Sequence, residues 1–296
     1  MGITMRKDKY RVLIVSGIVT SEHDPKVNRM IKRILESTGR FEVRITEEFR
    51  GANDETIEGY DAVLVNYDGK VDVNAPYVSL GDTAIRTLDK FVADGGGIII
   101  YHSSVIAQEA DYPEVFIKMT GSEFSFTNGG RKNPKLAFRV DTVKGNPICE
   151  NLAPFWYTAQ DDLFVNVRWR KDSHIEVLAT VYDDVQDYDI SRMQKHIARI
   201  YEGVNAEELE NINQNNPVIW TNTYGKGRVF VPFIGHGIDT LRRVEFVTML
   251  VRGTEWACTG QVTIPAPDIQ EEKRFAAWPY YDSISLARVA EITEGM

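Results

Sequence analysis

Three of the five histidines in this 296-residue chain stand at or just beyond the ends of apolar runs. His102 closes "GGGIIIYHSS", His236 directly follows "RVFVPFIG", and His23 lies in "SEHDP", a short loop beyond "RVLIVSG". An imidazole titrates near neutrality, so it can give and take protons there. Its neutral ring also binds divalent metals. One histidine at a strand end is more often a structural hydrogen-bonding residue, but three on one edge favour a site. His174 in "KDSHIEV" and His196 in a charged segment read as solvated.

Carboxylates fall on the same edge: Asp24 beside His23, and Asp161 and Asp162 in "TAQDDLF". The doublet precedes an apolar run, so turn or cap residues are its plain reading. Neighbours on a regular element diverge, so only one of the two faces a site, and Asp162 is assigned to it. Glu114 and the "TGSEF" loop follow the "GGGIIIYHSS" stretch and are expected to wall a pocket. Tyr67, Tyr101, Phe126, Trp156 and Tyr157 offer ring faces, although core packing explains each singly. Ser103 follows His102, but no elbow glycine stands two residues beyond it.

Several chemistries are excluded. No G-x-G-x-x-G follows a strand and no GxxxxGK[ST] occurs, so no nucleotide cofactor is expected. No GxSxG is present. Cys149 and Cys258 form no CxxC and read as buried small hydrophobes. A net charge of −9 argues against nucleic acid or an anionic membrane as partner.

The elements that must position these residues follow from periodicity. "RVLIVSG", "YDAVLVNYDG" and "GIIIYHS" are continuous apolar runs, as in strands buried on both faces. "FEVRITEE" alternates. "KVNRMIKRILESTG" carries Val27, Met30, Ile31, Ile34 and Leu35 at helical spacing, and "GDTAIRTLDKFVADGG" carries Ile85, Leu88, Phe91 and Val92. This predicts a parallel sheet with helices on both faces. Ligands of such sheets bind off the carboxyl ends of the strands, where Gly17–Asp24, Asp68–Val73 and His102–Ser104 lie. Further on, "KLAFRVD", "LFVNVRW" and "IEVLATVYDD" read as strands. "PVIWTNTYGKGRVFVPFIG" reads as a hairpin, and "VEFVTMLVRGTEWA" as a closing helix.

Residues 1–262 are read as one α/β domain with a helical insertion at about 189–216. Residues 263–296 are a C-terminal extension whose Trp278, Tyr280 and Tyr281 pack on the core, on a second subunit or over the site. The apolar run near the start is too short for a signal segment, and no run reaches the length of a membrane span, so a cytoplasmic protein is expected.

In order and spacing, "VLIVSG…HDPKVNRMIKRILESTGRFEV", "GGGIIIYHSS", "AQDDLF" and "NPVIWTNTYGKGRVFVPFIGH…EFVTMLVRGTEWA" resemble the trehalose-utilisation (ThuA-like) family, across about residues 11 to 258. The resemblance implies a fold like that of class I glutamine amidotransferases, a flavodoxin-like, doubly wound and mostly parallel sheet. In that superfamily a nucleophilic cysteine follows the strand that here ends in His102. Relatives similar to this chain have histidine there, so thiolate amidotransferase chemistry is ruled out on residue grounds. The family's "GH" matches Gly235–His236, its acidic "DEL-aromatic" stretch matches Asp161–Phe164, and its early "HD" matches His23–Asp24, with Pro25 where tryptophan is common. The family's extra histidine after "GGRF" has no counterpart in "GSEFSFTNGGRKNP".

The resemblance implies sugar catabolism, with a small oxidised carbohydrate of 3-keto-glycoside type as substrate. A carbonyl acidifies the neighbouring C–H, so a histidine base and an oxyanion stabiliser suffice for isomerisation, or for elimination and hydration. His102, His236 and Asp162 are the catalytic candidates. His102 and His236 are candidate ligands of a divalent metal (Zn, Mn or Ni). His23, Asp24, Tyr67, Ser103 and Glu114 are expected to bind substrate. A homo-oligomer is expected. A non-catalytic sugar-binding or assembly module and a metal-free small-molecule hydrolase are the alternatives.

Overall fold

The computed structural model describes residues 9–17, 25–67, 69, 76–105, 113–124, 130–185 and 209–265. His23, Asp24, Phe126, His196, most of the expected insertion and the extension from 266 onward lie outside the described residues.

The first half alternates strand and helix: β1 (Tyr10–Val15), α1 (Pro25–Ser37), β2 (Phe41–Thr46), α2 (Asp54–Ile57), β3 (Ala62–Val65), α3 (Asp82–Ala93) and β4 (Gly97–Ile100). After a short turn come α4 (Glu114–Thr120), β5 (Ser122–Glu123), β6 (Gly130–Leu136), β7 (Arg139–Thr142), β8 (Phe155–Tyr157), β9 (Asp161–Val165), β10 (Arg168–Trp169) and β11 (Glu176–Asp183). The hairpin β12 (Gln214–Tyr224) and β13 (Gly227–Pro232) leads to α5 (Val244–Thr259).

The main sheet has nine strands in the order β2-β1-β3-β4-β13-β12-β11-β7-β8. From β2 to β13 every neighbour is parallel. The remaining pairs are antiparallel. The parallel half therefore has the 2-1-3-4-5 order of flavodoxin-like sheets, with a switch point between β1 and β3. β3 and β4 are buried throughout, as their unbroken apolar sequences require, whereas edge strand β2 buries Phe41 and Val43 and exposes Glu42 and Arg44.

Alternate strand residues feed two cores. Ile14, Leu64, Ile99 and Phe230 pack with α1 and α5. Val15, Val65, Ile98 and Val229 pack with α3 and α4. Helices thus cover both faces, as periodicity predicts. The glycines leading into and opening β4 have separate uses. Gly95 follows α3 with φ of +122°. A Cβ on Gly97 would fall 2.3 Å from the Ala257 carbonyl oxygen, so only glycine lets α5 lie this close to the sheet.

Three local differences from the sequence reading have simple causes. The stretch around "KLAFRVD" divides into β6 and β7, because Ala137 and Phe138 lie outside both strands. Gln214–Asn216, read as the end of a helical insertion, are the first residues of β12, paired with Tyr182, Asp183 and Val181 of β11. The helical spacing of the insertion ends at Val204, and at 214–216 the partner strand sets the local structure. The aspartate doublet is not a turn before β9 but its first two residues. Among the described residues no helix is long and apolar enough to cross a membrane.

Candidate active site

Two parallel neighbours, β4 and β13, release their chains at the same edge, so the histidines beyond them meet. The His102 and His236 ring centroids are 5.2 Å apart at 62°. Asp162 arrives from β9, which pairs with β6 outside the main sheet. Its Oδ2 lies 2.9 Å from His236 Nδ1. One ligand-capable atom from each of His102, Asp162 and His236 lies within 4.8 Å of the others.

The backbone at His102 is unusual. Its φ is +48°, in the left-handed region that β-carbon-bearing residues enter at a cost of about 1–3 kcal/mol. The turn is pinned on both sides. Tyr101 N–H donates to the Val65 carbonyl, and Tyr67 N–H donates to Ser104 Oγ at 2.8 Å. The strained turn folds the chain back at the strand end, and the imidazole is almost wholly buried.

The loop carrying His236 is tied down by the other aspartate. Asp161 Oδ1 accepts from the backbone N–H groups of His236 (2.9 Å) and Asp162 (2.8 Å). Its Oδ2 accepts from Gly235 N–H (3.0 Å) and Thr240 Oγ1 (2.6 Å). Tyr101 Oη, from the other strand, donates to the Gly235 carbonyl at 2.7 Å. Gly235 has φ of +108°, and a Cβ there would meet Tyr101 Oη and the Phe246 ring. So the two adjacent aspartates divide the work: Asp162 faces the imidazole and Asp161 holds its backbone. Burial raises the Asp161 carboxyl above its ordinary value, opposed by these four hydrogen bonds. Burial, reinforced by the Asp161 charge, pushes the Tyr101 phenol well up, so it remains a donor.

An aromatic wall dries the cluster. The Phe164 ring lies 5.4 Å from His102 and stacks on Phe233 at 5.0 Å, with Phe124 edge-on to both. In such surroundings charge interactions are stronger than in water. Two imidazoles and one carboxylate are a donor set suited to Zn, Mn or Ni, and these residues fit such an ion.

The other expected site residues are placed differently. Ser103 is buried in the turn behind His102. Tyr67 is buried at the β3 exit with its hydroxyl donated to the Val78 carbonyl at 2.7 Å. Glu114 begins α4, is 72% exposed and pairs with Lys118 at 3.0 Å, outside the three-residue cluster. His174 is exposed, as expected. Cys149 is buried with its thiol pushed up to about 12 by desolvation, as suits a small hydrophobe.

Sequence reasoning did not find Thr240, the tie from Tyr101 Oη, or the anchoring role of Asp161. It also missed a buried chain at the β1/β3 switch point, where Asn66 Nδ2 donates to Asn28 Oδ1 and Asn28 Nδ2 donates to Ser16 Oγ, both at 2.8 Å. The only local signal was the doublet itself. A cavity of about 560 Å³ lies at the opposite, amino-terminal edge, lined by Gly59, Tyr60, Asp61, Gly95 and Gly96. No member of the histidine cluster lines it.

Fold and site together define a flavodoxin-like α/β protein with two imidazoles and a carboxylate gathered at the ligand edge of its parallel strands. The chain belongs to the ThuA family, described as trehalose utilisation, whose model matches residues 11–257. That description links the family to carbohydrate metabolism. Among solved structures, a ThuA-like protein from Parabacteroides merdae is 22% identical, with a TM-score of 0.65 over 88% of this chain and 94% of its own. One from Bacteroides uniformis is 15% identical, with a TM-score of 0.61 over 86% and 95%. A β-galactosidase from Rahnella sp. R3 is 15% identical, with a TM-score of 0.51 over 84% of this chain and 32% of its own. At these identities the likeness is one of fold. No curated protein matches the chain.

Proposed function

We propose that the chain is an enzyme of carbohydrate catabolism that removes a proton beside the carbonyl of a small oxidised sugar, of 3-keto-glycoside type. The observation that carries this reading is the Asp162–His236 contact at 2.9 Å, faced by His102. A carboxylate against Nδ1 draws the imidazole proton to that nitrogen and leaves Nε2 as the base. His236 Nε2 takes the proton from the carbon next to the carbonyl, and the C–H electron pair moves into the carbonyl to form an enediolate. Asp162 stabilises the resulting imidazolium. His102, on the facing strand end, donates a hydrogen bond to the developing oxyanion. The proton returns at the neighbouring carbon for isomerisation. Alternatively, the enediolate re-forms the carbonyl and expels a β-oxygen substituent, which takes the proton from the His236 imidazolium, and water adds across the resulting enone.

His102, Asp162 and His236 would also hold a divalent ion, which when bound would polarise the substrate carbonyl. Elemental analysis of purified protein separates the two uses of these side chains.

The test is turnover on a panel of 3-keto-glycosides. His102→Ala and His236→Asn are each expected to lower kcat/KM about 100-fold or more, the scale of a lost acid or base. Unchanged turnover in both variants would remove the proposal. So would the absence of turnover on every keto-sugar.

A further inference from the structure

A cavity of about 760 Å³ is built from the two chain segments that flank the histidine cluster. Gln160 directly precedes the aspartate doublet, and Asp239, Arg242 and Arg243 follow His236. The three consecutive aromatics of β8 form another wall. The volume suits a small ligand, for which roughly 300–1,000 Å³ is usual.

Its charged lining sets two guanidiniums, Arg242 and Arg243, against two carboxylates, Asp239 and Glu245. Arg243 is the N-cap of α5 and makes no side-chain capping bond. Among the described residues its guanidinium has no hydrogen bond or ion pair, and its Nε is buried. Arg242 beside it is held by Asp239 at 3.1 Å. Trp156, 5% exposed, carries a buried indole N–H that also has no hydrogen-bond partner among the described residues. The 16-residue α5 starts at the same place, so its first backbone N–H groups and the positive end of its dipole add positive potential there. The other negative group is Glu245, buried in the first turn of α5 and also lining the cavity. A half-buried guanidinium without a counter-ion favours a planar or tetrahedral anion, which its fork can bind through two N–H groups. Tyr157, 55% exposed on the edge strand, offers a ring face beside it.

We infer that this cavity binds a sugar ring bearing a carboxylate or phosphate, with the anionic group at Arg243 and the ring against Tyr157. That this sugar is the far part of the enzyme's own substrate rests on the function proposed above; the binding site itself does not.

Isothermal titration of the full chain with glucuronate, glucose 6-phosphate, glucose and inorganic phosphate tests it. At least one anionic sugar is expected to bind about tenfold or more tightly than glucose and than phosphate. Arg243→Gln should weaken that binding about tenfold, while Arg50→Gln, at an exposed arginine paired with Glu48 and outside the cavity lining, leaves it within about twofold. Comparison of glucuronate with glucose 6-phosphate identifies the anion. The inference is overturned if neither anionic sugar binds, or if inorganic phosphate binds equally well. It is also overturned if Arg243→Gln has no effect, or if Arg50→Gln weakens binding as much as Arg243→Gln does. Loss of the catalytic reading through absent keto-sugar turnover would leave these titrations unaffected, so the two failures are distinguishable.

Discussion

Asp161 and Asp162 differ only in the direction they leave β9, yet their substitutions have different expected consequences. Both Asp161 oxygens face two donors each, so either orientation of an asparagine sets an NH₂ group against a backbone N–H. Asp161→Asn is therefore expected to move the His236 and Gly235 amide protons upfield in NMR spectra and to lower kcat more than it raises KM. Unmoved amide resonances in a folded variant would contradict the anchoring role. Asp162→Asn leaves the loop in place and removes the charge facing Nδ1, so the amide resonances stay and turnover falls. Adjacency in the sequence is enough to infer that only one aspartate of the pair faces a site. It holds no sign of what the other does, because the partners of Asp161 beyond β9 lie more than seventy residues away in the chain.

At the scale of elements, the strand ends carry the argument. β4 and β13 are adjacent and parallel, so His102 and His236 must share an edge, and the strained turn at His102 needs β4 held firmly. Gly97→Ala would place a methyl group 2.3 Å from the Ala257 carbonyl oxygen, and backbone cannot step aside cheaply. About 1–3 kcal/mol of destabilisation is expected, read as a lower urea midpoint, with turnover reduced as the β4 exit shifts. An unchanged midpoint would show that α5 is not packed as described. The strands and helices of this half were legible because their apolar runs and helical spacing agree with their final burial. α2 was not, being a single turn whose stability comes from the Asn53–Thr56 capping box rather than from an apolar face. The β6–β9 pairing was equally hidden, since it joins strands with no turn between them and depends on contacts distant in sequence.

For the whole molecule, three acids among the described residues, Cys149, Tyr224 and the buried Tyr101, link stability to alkaline pH. Burial pushes the Cys149 thiol from 9.0 up to about 12. Burial and the hydrogen bond to Asp89 push the Tyr224 phenol from 10.0 up to about 12. Above the unfolded-state values the unfolded chain has lost these protons and the native chain keeps them, so stability falls as pH rises from about 9 to about 12. Within that window Cys149 contributes a slope of up to about 1.4 kcal/mol per pH unit, and Tyr224, more screened by solvent, contributes less. Urea melts at rising pH should show this slope, and Cys149→Ala should flatten its lower part; identical slopes would contradict the assignment. The central claim, however, is proton abstraction by His236. The direct measurement is exchange of the proton beside the carbonyl of a 3-keto-glucoside in D₂O, followed by NMR, because abstraction precedes both isomerisation and elimination. The account predicts deuterium incorporation with the natural chain, slowed about 100-fold or more in His236→Asn. Incorporation no faster than in buffer, or equally fast in His236→Asn, would contradict it.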